Sequence, residues 1–234
     1  MNPRMKRGRH GVKKRAIVTE SDAPAKGAPI LEKPREPLVG ATFETAASAL
    51  AELPPPGPPE IAVAGRSNAG KSSAINALAR HTGLAFASRT PGRTRQINFF
   101  RLRGGARLAD LPGYGYAAVP DAVKRQWQAL LWQYLTTRST LVGLILVIDA
   151  RHGVKDLDFQ LLDAFVPSMR PVLVLATKSD KLNIAARTRA VTTVNRQLVQ
   201  RYGDAGRNVL VIGFSAPSRA GVEEADRVLA QWLP

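Results

Sequence analysis

The chain has 234 residues, with 34 Lys and Arg against 18 Asp and Glu and no cysteine. This length suits one full-sized domain with appendages, and the absence of cysteine excludes disulfides and thiolate metal sites. The apolar run 141–150 has about half the ~20 residues of a membrane span, and the basic N-terminus lacks the apolar part of a secretory signal. We therefore expect a soluble, cytoplasmic protein with no membrane partner.

The net charge of +16 favours a polyanionic partner, and nucleic acid is the first explanation. Colloidal solubility and an anionic membrane surface are the alternatives. Residues 1–15 contain seven Lys or Arg and no acid, which predicts a disordered tail over residues 1–37 and a folded domain over 38–234. An organellar transit peptide has a similar composition, although the glycines and prolines here disfavour an amphipathic helix.

Alanine-rich residues 43–53 predict a short helix, which a stiff proline-rich spacer, 54–59, would end. A strand is predicted from Glu60, and strands and helices alternate after it. A hairpin is predicted around Gly104 and Gly105. The apolar run 141–149 predicts a strand buried on both faces. This pattern predicts a doubly wound α/β fold with helices on both faces of a mostly parallel six-stranded sheet that has one antiparallel strand.

The stretch 65–72 matches the phosphate-binding pattern G-x-x-x-x-G-K-[ST] between a strand and a helix. Glycines allow the backbone to wrap a phosphate, and the helix directs its positive end at the same anion. Lys71 would reach the outer phosphates and the Ser72 hydroxyl would bind Mg²⁺. A chance match on a glycine turn is the alternative. The predicted nucleotide contacts in this stretch are Gly65, Arg66, Ser67, Asn68, Ala69, Gly70, Lys71, Ser72 and Ser73.

The predicted strand 107–110 ends in Asp110, and Gly113 follows three residues later. Asp110 is placed to hold Mg²⁺ through a water, and the Gly113 N–H to contact a terminal phosphate. A simple turn is the alternative, because Asp, Pro and Gly all favour turns. The next residue is Tyr114, and an aromatic side chain cannot orient water as an amide does. We therefore expect slow intrinsic hydrolysis.

The apolar run 172–176 leads into Thr177, Lys178 and Asp180. The Asp180 carboxylate can accept hydrogen bonds from N1–H and the amino group of guanine, whereas adenine offers no matching pair of donors. This predicts GTP and GDP as ligands, with the Lys178 stem over the base; a solvated turn with Ser179 or Asp180 as helix N-cap is the alternative. Three further backbone contacts to guanine are predicted after strand 209–212, at Phe214, Ser215 and Ala216.

Four motifs together resemble the EngB (YihA/YsxC) family of the TrmE–Era–EngA–EngB–septin group of bacterial GTPases. They are Gly65-Arg-Ser-Asn-Ala-Gly-Lys-Ser-Ser73, Thr90-Pro-Gly-Arg-Thr94 with Ile97-Asn98-Phe99, Asp110-Leu-Pro-Gly-Tyr-Gly-Tyr116 and Thr177-Lys-Ser-Asp180. The resemblance extends from about residue 43 to the C-terminus. It implies a P-loop G domain that acts in assembly of the large ribosomal subunit.

The resemblance also implies roles for individual residues. Thr94 would be the switch I threonine that closes on Mg²⁺ and the γ-phosphate, with Gly92 beside it. Asn68 resembles the residue that binds K⁺ in potassium-activated relatives; satisfaction by its own backbone is the alternative. The candidate catalytic set is therefore Asn68, Lys71, Thr94 and Gly113, and the candidate metal ligands are Ser72, Thr94 and Asp110. Arg95 stands where this family is expected to have Gln.

Residues 80–107 contain seven arginines and no carboxylate. Arginine forks fit phosphate oxygens, so the segment that would sense the nucleotide overlaps a candidate RNA-binding face; a solvated flexible loop is the alternative. We expect a GTP-dependent switch whose partners are ribosomal RNA and the precursor of the large ribosomal subunit. The rivals are a nucleotide-gated RNA-binding scaffold with incidental hydrolysis and an ATP-using phosphotransferase. A monomer is the default expectation.

Overall fold

One sheet organises the part of the chain that the structure describes. A computed structural model describes residues 36–86, 96–115 and 121–233, without the side chains of 121–127. Within these ranges seven strands form the sheet in the order β1-β3-β4-β2-β5-β6-β7. The strands are β1 (Thr42–Ala47), β2 (Glu60–Gly65), β3 (Ile97–Arg101), β4 (Arg107–Asp110), β5 (Leu141–Asp149), β6 (Val172–Thr177) and β7 (Val209–Gly213). Strand β3 runs antiparallel to both neighbours, and the other pairs are parallel.

Five α-helices in the described ranges cover both faces of the sheet. They are α1 (Lys71–Leu78), α2 (Asp121–Thr137), α3 (Asp156–Phe165), α4 (Ile184–Tyr202) and α5 (Val222–Ala230). Strand β2 shows why both faces are apolar: Ile61 and Val63 pack with α1 and α5, whereas Ala62 and Ala64 pack with α2, α3 and α4. The doubly wound α/β class is confirmed. None of the described helices is both long and apolar enough to cross a membrane.

The predicted helix over residues 43–53 is wrong. Residues Thr42–Ala47 form an edge strand that pairs antiparallel with β3, and a single 3-10 turn follows at Leu50–Glu52. Pairing with β3 overrides alanine's helix preference. The Phe43 ring also packs edge-on against Phe100, with the ring centroids 6.1 Å apart. The sheet therefore has seven strands where six were predicted.

A buried ionic network holds the amino end of β2. The Glu60 side chain is 0% exposed and accepts hydrogen bonds from Arg138 Nε at 2.9 Å, Arg138 Nη2 at 2.5 Å and Tyr134 Oη at 2.8 Å. Arg107 lies 3.7 Å away and also binds Glu44 on β1. Burial, followed by the Glu60 charge, raises the Tyr134 pKa well above its usual value, so its hydroxyl remains a donor. The network joins β1, β2, β4 and the end of α2.

Candidate functional site

The predicted phosphate loop joins β2 to α1 and is closely packed from behind. A Cβ on Gly65 would lie 2.7 Å from the Val147 carbonyl oxygen, so the strand can end here only in glycine. Gly70 has a φ of +97° and a Cβ there would lie 3.2 Å from Thr177 Oγ1. The Thr177 hydroxyl also bonds the Ala69 carbonyl. Both fixed glycines of the pattern are therefore required by φ or by space.

The loop presents free backbone donors. Among the described residues, no carbonyl oxygen accepts from five N–H groups of the loop and first helical turn: those of Asn68, Gly70, Lys71, Ser72 and Ser73. The first N–H groups of a helix lack partners by geometry, and the same helix end carries partial positive charge. A ring of unpaired amides at a helix start has the chemistry of a phosphate site.

Lys71 and Asp110 form an ion pair between the start of α1 and the end of β4. Both side chains are largely buried, with 12% and 9% of their surfaces exposed. Ser72, the next residue of α1, is half-buried. A carboxylate and a hydroxyl are hard oxygen ligands of the kind that Mg²⁺ prefers. The donor set therefore fits Mg²⁺ at Asp110 and Ser72, with Lys71 free to turn to a phosphate.

The residue after Gly113 points away from the phosphate loop. Tyr114 is 7% exposed, and its hydroxyl donates to Asp158 Oδ1 on α3 at 2.7 Å. Its backbone joins the loop, because its carbonyl accepts from the Ser67 N–H at 2.8 Å. Burial, and then the Asp158 charge, raises the Tyr114 pKa well above its usual value. The Tyr114 hydroxyl is therefore engaged within the fold, and the expectation that this tyrosine does not orient water stays a prediction.

The residues predicted to recognise guanine come together at the ends of β6 and β7. Asp180 accepts a hydrogen bond from Ser215 Oγ at 2.8 Å, which lowers the carboxyl pKa and keeps it ionised at neutral pH. Lys178 Nζ donates to the Asn68 carbonyl oxygen at 2.7 Å. Helix α4 has Asn183 as its N-cap. Neither Ser179 nor Asp180 therefore caps α4, so the N-cap part of the alternative interpretation is wrong. Guanine recognition by Asp180 stays a prediction.

For the remaining residues that the sequence predicts to bind nucleotide or metal, the structure gives less information. The N–H groups of Phe214 and Ser215 already donate to the carbonyls of Ala176 at 2.8 Å and Ala220 at 3.0 Å. Of the three predicted backbone contacts to guanine, only that of the half-buried Ala216 therefore stays a prediction. Asn68 is exposed and has a φ of +62°. Gly92 and Thr94 lie outside the described residues, so their predicted roles stay predictions.

The arginine-rich segment contributes partly to the fold. Arg107 and Arg101 both bind Glu44. Arg80 pairs with Glu36 at 2.5 Å and with the buried Asp226 at 3.1 Å. In the described part of residues 80–107, ion pairs therefore hold three of the four arginines.

Sequence reasoning missed Asp149, at the end of β5. Its carboxylate bonds Arg151 Nε at 2.9 Å and lies 3.0 Å from Lys178 Nζ. Burial works to raise its pKa, but these two cations hold the pKa well below its usual value. Asp149 thus fixes the lysine that reaches the phosphate loop. Its position at a strand end, beside those of β2 and β6, was the available signal.

We expect Tyr114→Phe to destabilise the protein by about 1 to 2 kcal/mol while leaving GTP hydrolysis within about twofold of wild type. The variant removes one of the two donors to the buried Asp158 and leaves only the Lys155 N–H at 2.9 Å, and burial already raises the Asp158 pKa. Urea unfolding and single-turnover hydrolysis measure the two effects. Tyr202→Phe is the matched control, because its hydroxyl donates to the more exposed Asp163 at 2.8 Å. A hydrolysis rate changed tenfold by Tyr114→Phe would place the tyrosine in the reaction.

Comparisons with known proteins agree with this site. Residues 60–178 match the family described as "50S ribosome-binding GTPase". A "Probable GTP-binding protein EngB" from Azoarcus sp. (strain BH72) is 54% identical over 193 residues, which are 82% of this chain and 91% of the relative. The protein of the same description from Neisseria meningitidis serogroup B is 48% identical over the same shares of the two chains.

Solved structures share the fold. The crystal structure of "a probable GTP-binding protein engB" has a TM-score of 0.58 and 20% identity, covering 74% of this chain and 97% of that one. Era in complex with MgGDPNP and nucleotides 1506–1542 of 16S ribosomal RNA has a TM-score of 0.56 and 21% identity, covering 77% of this chain and 58% of Era.

The sheet, the phosphate loop and the matched sequences define a GTP-binding protein of the P-loop class with a GTPase domain. At about half identity over most of its length, the chain belongs to the EngB family.

Proposed function

We propose that this GTPase is a nucleotide-dependent switch in assembly of the large ribosomal subunit, with ribosomal RNA as its partner. One observation carries the proposal. The connection from α1 to β3 follows the last turn of the helix whose first turn presents the free amides. It contains Arg89, Arg93 and Arg95 and no acidic residue. Ordering of this connection by a terminal phosphate would change how its arginines meet RNA.

Two descriptions of similar proteins support the ribosomal partner. The matched family is described as ribosome-binding, and Era, which shares the fold, has been solved with a segment of 16S ribosomal RNA. The net charge of +16 suits such a polyanion. We also propose that the protein acts in the cytoplasm and is a monomer.

The roles proposed for the site residues follow from their positions. Loop amides and Lys71 bind and neutralise the β- and γ-phosphates, and Asp180 selects guanine. Ser72, Asp110 and Thr94 hold Mg²⁺, which when bound neutralises charge that develops on the phosphates. Tyr114 turns into the core, so the chain supplies no side chain for orienting water at that position. Intrinsic hydrolysis is therefore slow, and K⁺ at Asn68 or a group from the partner stimulates it.

A nucleotide-gated RNA-binding scaffold is the second candidate, favoured by the inward position of Tyr114. In that case hydrolysis would be incidental. Single-turnover hydrolysis with and without large ribosomal subunits distinguishes the two functions. The switch requires faster hydrolysis on the subunit, whereas the scaffold shows one rate in both conditions.

The proposed switch is tested by co-sedimentation with large ribosomal subunits in the GTP-analogue, GDP and nucleotide-free states. We expect the GTP-analogue state to bind at least about fivefold more tightly than the GDP state. Lys71→Ala, which removes the cation at the phosphates, is the control that should lose this difference. Equal affinity in all three states of the wild-type protein would contradict the switch.

A further inference from the structure

Helix α4 presents a continuous exposed face without acids. Its 19 residues include four arginines and no Asp or Glu. Residues spaced three, four or seven apart lie on one side of a helix. On one side of α4 every such residue is exposed: Ala185, Arg189, Thr192, Thr193, Arg196, Val199 and Gln200. These seven residues are called the α4 face below.

Two of the four arginines are engaged in the fold and two are available. Arg201 forms a fork with Asp163, at 2.8 and 2.6 Å, and Arg187 Nε donates to the Ser179 carbonyl at 3.2 Å. Arg189 and Arg196 make no ion pair and donate no side-chain hydrogen bond to any residue that the structure describes. They are two helical turns apart, or about 10 Å at 1.5 Å per residue.

Helix α4 is anchored at both of its ends. The Asn183 side chain caps the first turn of α4. At the other end, Tyr202 donates to Asp163 at 2.8 Å and the Arg201 guanidinium lies 5.0 Å from the centre of the Phe159 ring. Helix α4 joins β6 to β7 at one edge of the sheet, whereas β3 pairs with β1 at the other edge.

We propose that the α4 face binds phosphates of RNA in every nucleotide state, a proposal that rests on the proposed ribosomal function. Arg, Thr and Gln are the side chains that commonly contact nucleic-acid backbones. The face has no aromatic residue, which is unlike the centre of a protein interface. The carboxylates before and after α4, Asp180 and Asp204, each have a cation nearby, Lys181 and Arg207. The α4 face thus supplies constant affinity, and the α1–β3 connection supplies the nucleotide-dependent part.

The test compares Arg189→Gln/Arg196→Gln with Arg219→Gln/Arg227→Gln. The control pair removes the same charge from exposed positions next to Glu223 and Glu224 at the start of α5. Dissociation constants are measured for large ribosomal subunits and for RNA extracted from them, with GTP analogue and with GDP, at two salt concentrations. Unchanged melting temperatures establish that both variants fold.

We expect the α4 variant to bind about tenfold more weakly to both ligands, by the same factor in both nucleotide states. The slope of log affinity against log salt should fall by about 1.5, and the control should stay within about twofold of wild type. A loss confined to one nucleotide state, a loss on subunits but not on extracted RNA, or an equal loss in the control would overturn the proposal. The ratio of GTP-state to GDP-state affinity in the wild type tests the switch separately.

Discussion

Asp180→Asn is expected to weaken GTP binding by about a thousandfold and to transfer the preference to xanthosine triphosphate. In the proposed site the carboxylate accepts hydrogen bonds from N1–H and the amino group of guanine, and an asparagine amide cannot accept both. Xanthine has a carbonyl in place of that amino group, and the amide can donate to it. Competition binding with GTP, xanthosine triphosphate and ATP measures the change.

Ser215→Ala is the control for this substitution. It removes the hydroxyl that donates to Asp180 Oδ1 at 2.8 Å but leaves the carboxylate in place. We expect a loss of about fivefold for GTP with no change of base preference. If Asp180→Asn kept GTP as its preferred ligand, the guanine site would lie elsewhere.

Glu60→Ala is expected to lower the free energy of unfolding by about 3 to 5 kcal/mol, because it leaves Arg138 and Arg107 buried without their shared anion. Arg138 is 7% exposed and Arg107 8% exposed, so water cannot replace the lost partner. A small domain has about 5 to 15 kcal/mol of stability in total. Urea unfolding should therefore show a midpoint lower by about 2 M.

Two further variants keep this prediction testable. Glu60→Gln retains the shape and the bond to Tyr134, so it can be measured if the alanine variant fails to fold, and it should also lose more than about 2 kcal/mol. Arg207→Gln removes one side of an exposed pair with Asp204 and should change stability by less than about 0.5 kcal/mol. Equal small effects at Glu60 and Arg207 would show that the buried network does not stabilise the fold.

Most of the fold could be predicted from the sequence, because the patterns that indicate it lie within short segments of the chain. Strands β4 and β5 begin and end where the sequence predicts, at 107–110 and 141–149. Gly65, Gly70 and Lys71 were readable because the phosphate loop lies within eight consecutive residues. That Asp180 and Ser215 lie at one edge of the sheet could be predicted, because the ends of parallel strands meet there. The hydrogen bond between their side chains was not predicted.

What sequence reasoning missed depends on contacts between distant residues. Strand β1 was mistaken for a helix, because its pairing with β3 joins residues at least 50 apart in the chain. The binding of Glu44 by Arg107 joins residues 63 apart. The direction of the Tyr114 side chain is set by Asp158 on α3. No local pattern contains either partner.

Titration calorimetry of the wild-type protein with GTP and with ATP, at the same Mg²⁺ concentration, tests the central claim most directly. If one guanine nucleotide binds across the phosphate loop and the Asp180–Ser215 pair, GTP must bind at least about a hundredfold more tightly than ATP. Equal affinities for the two nucleotides would contradict it.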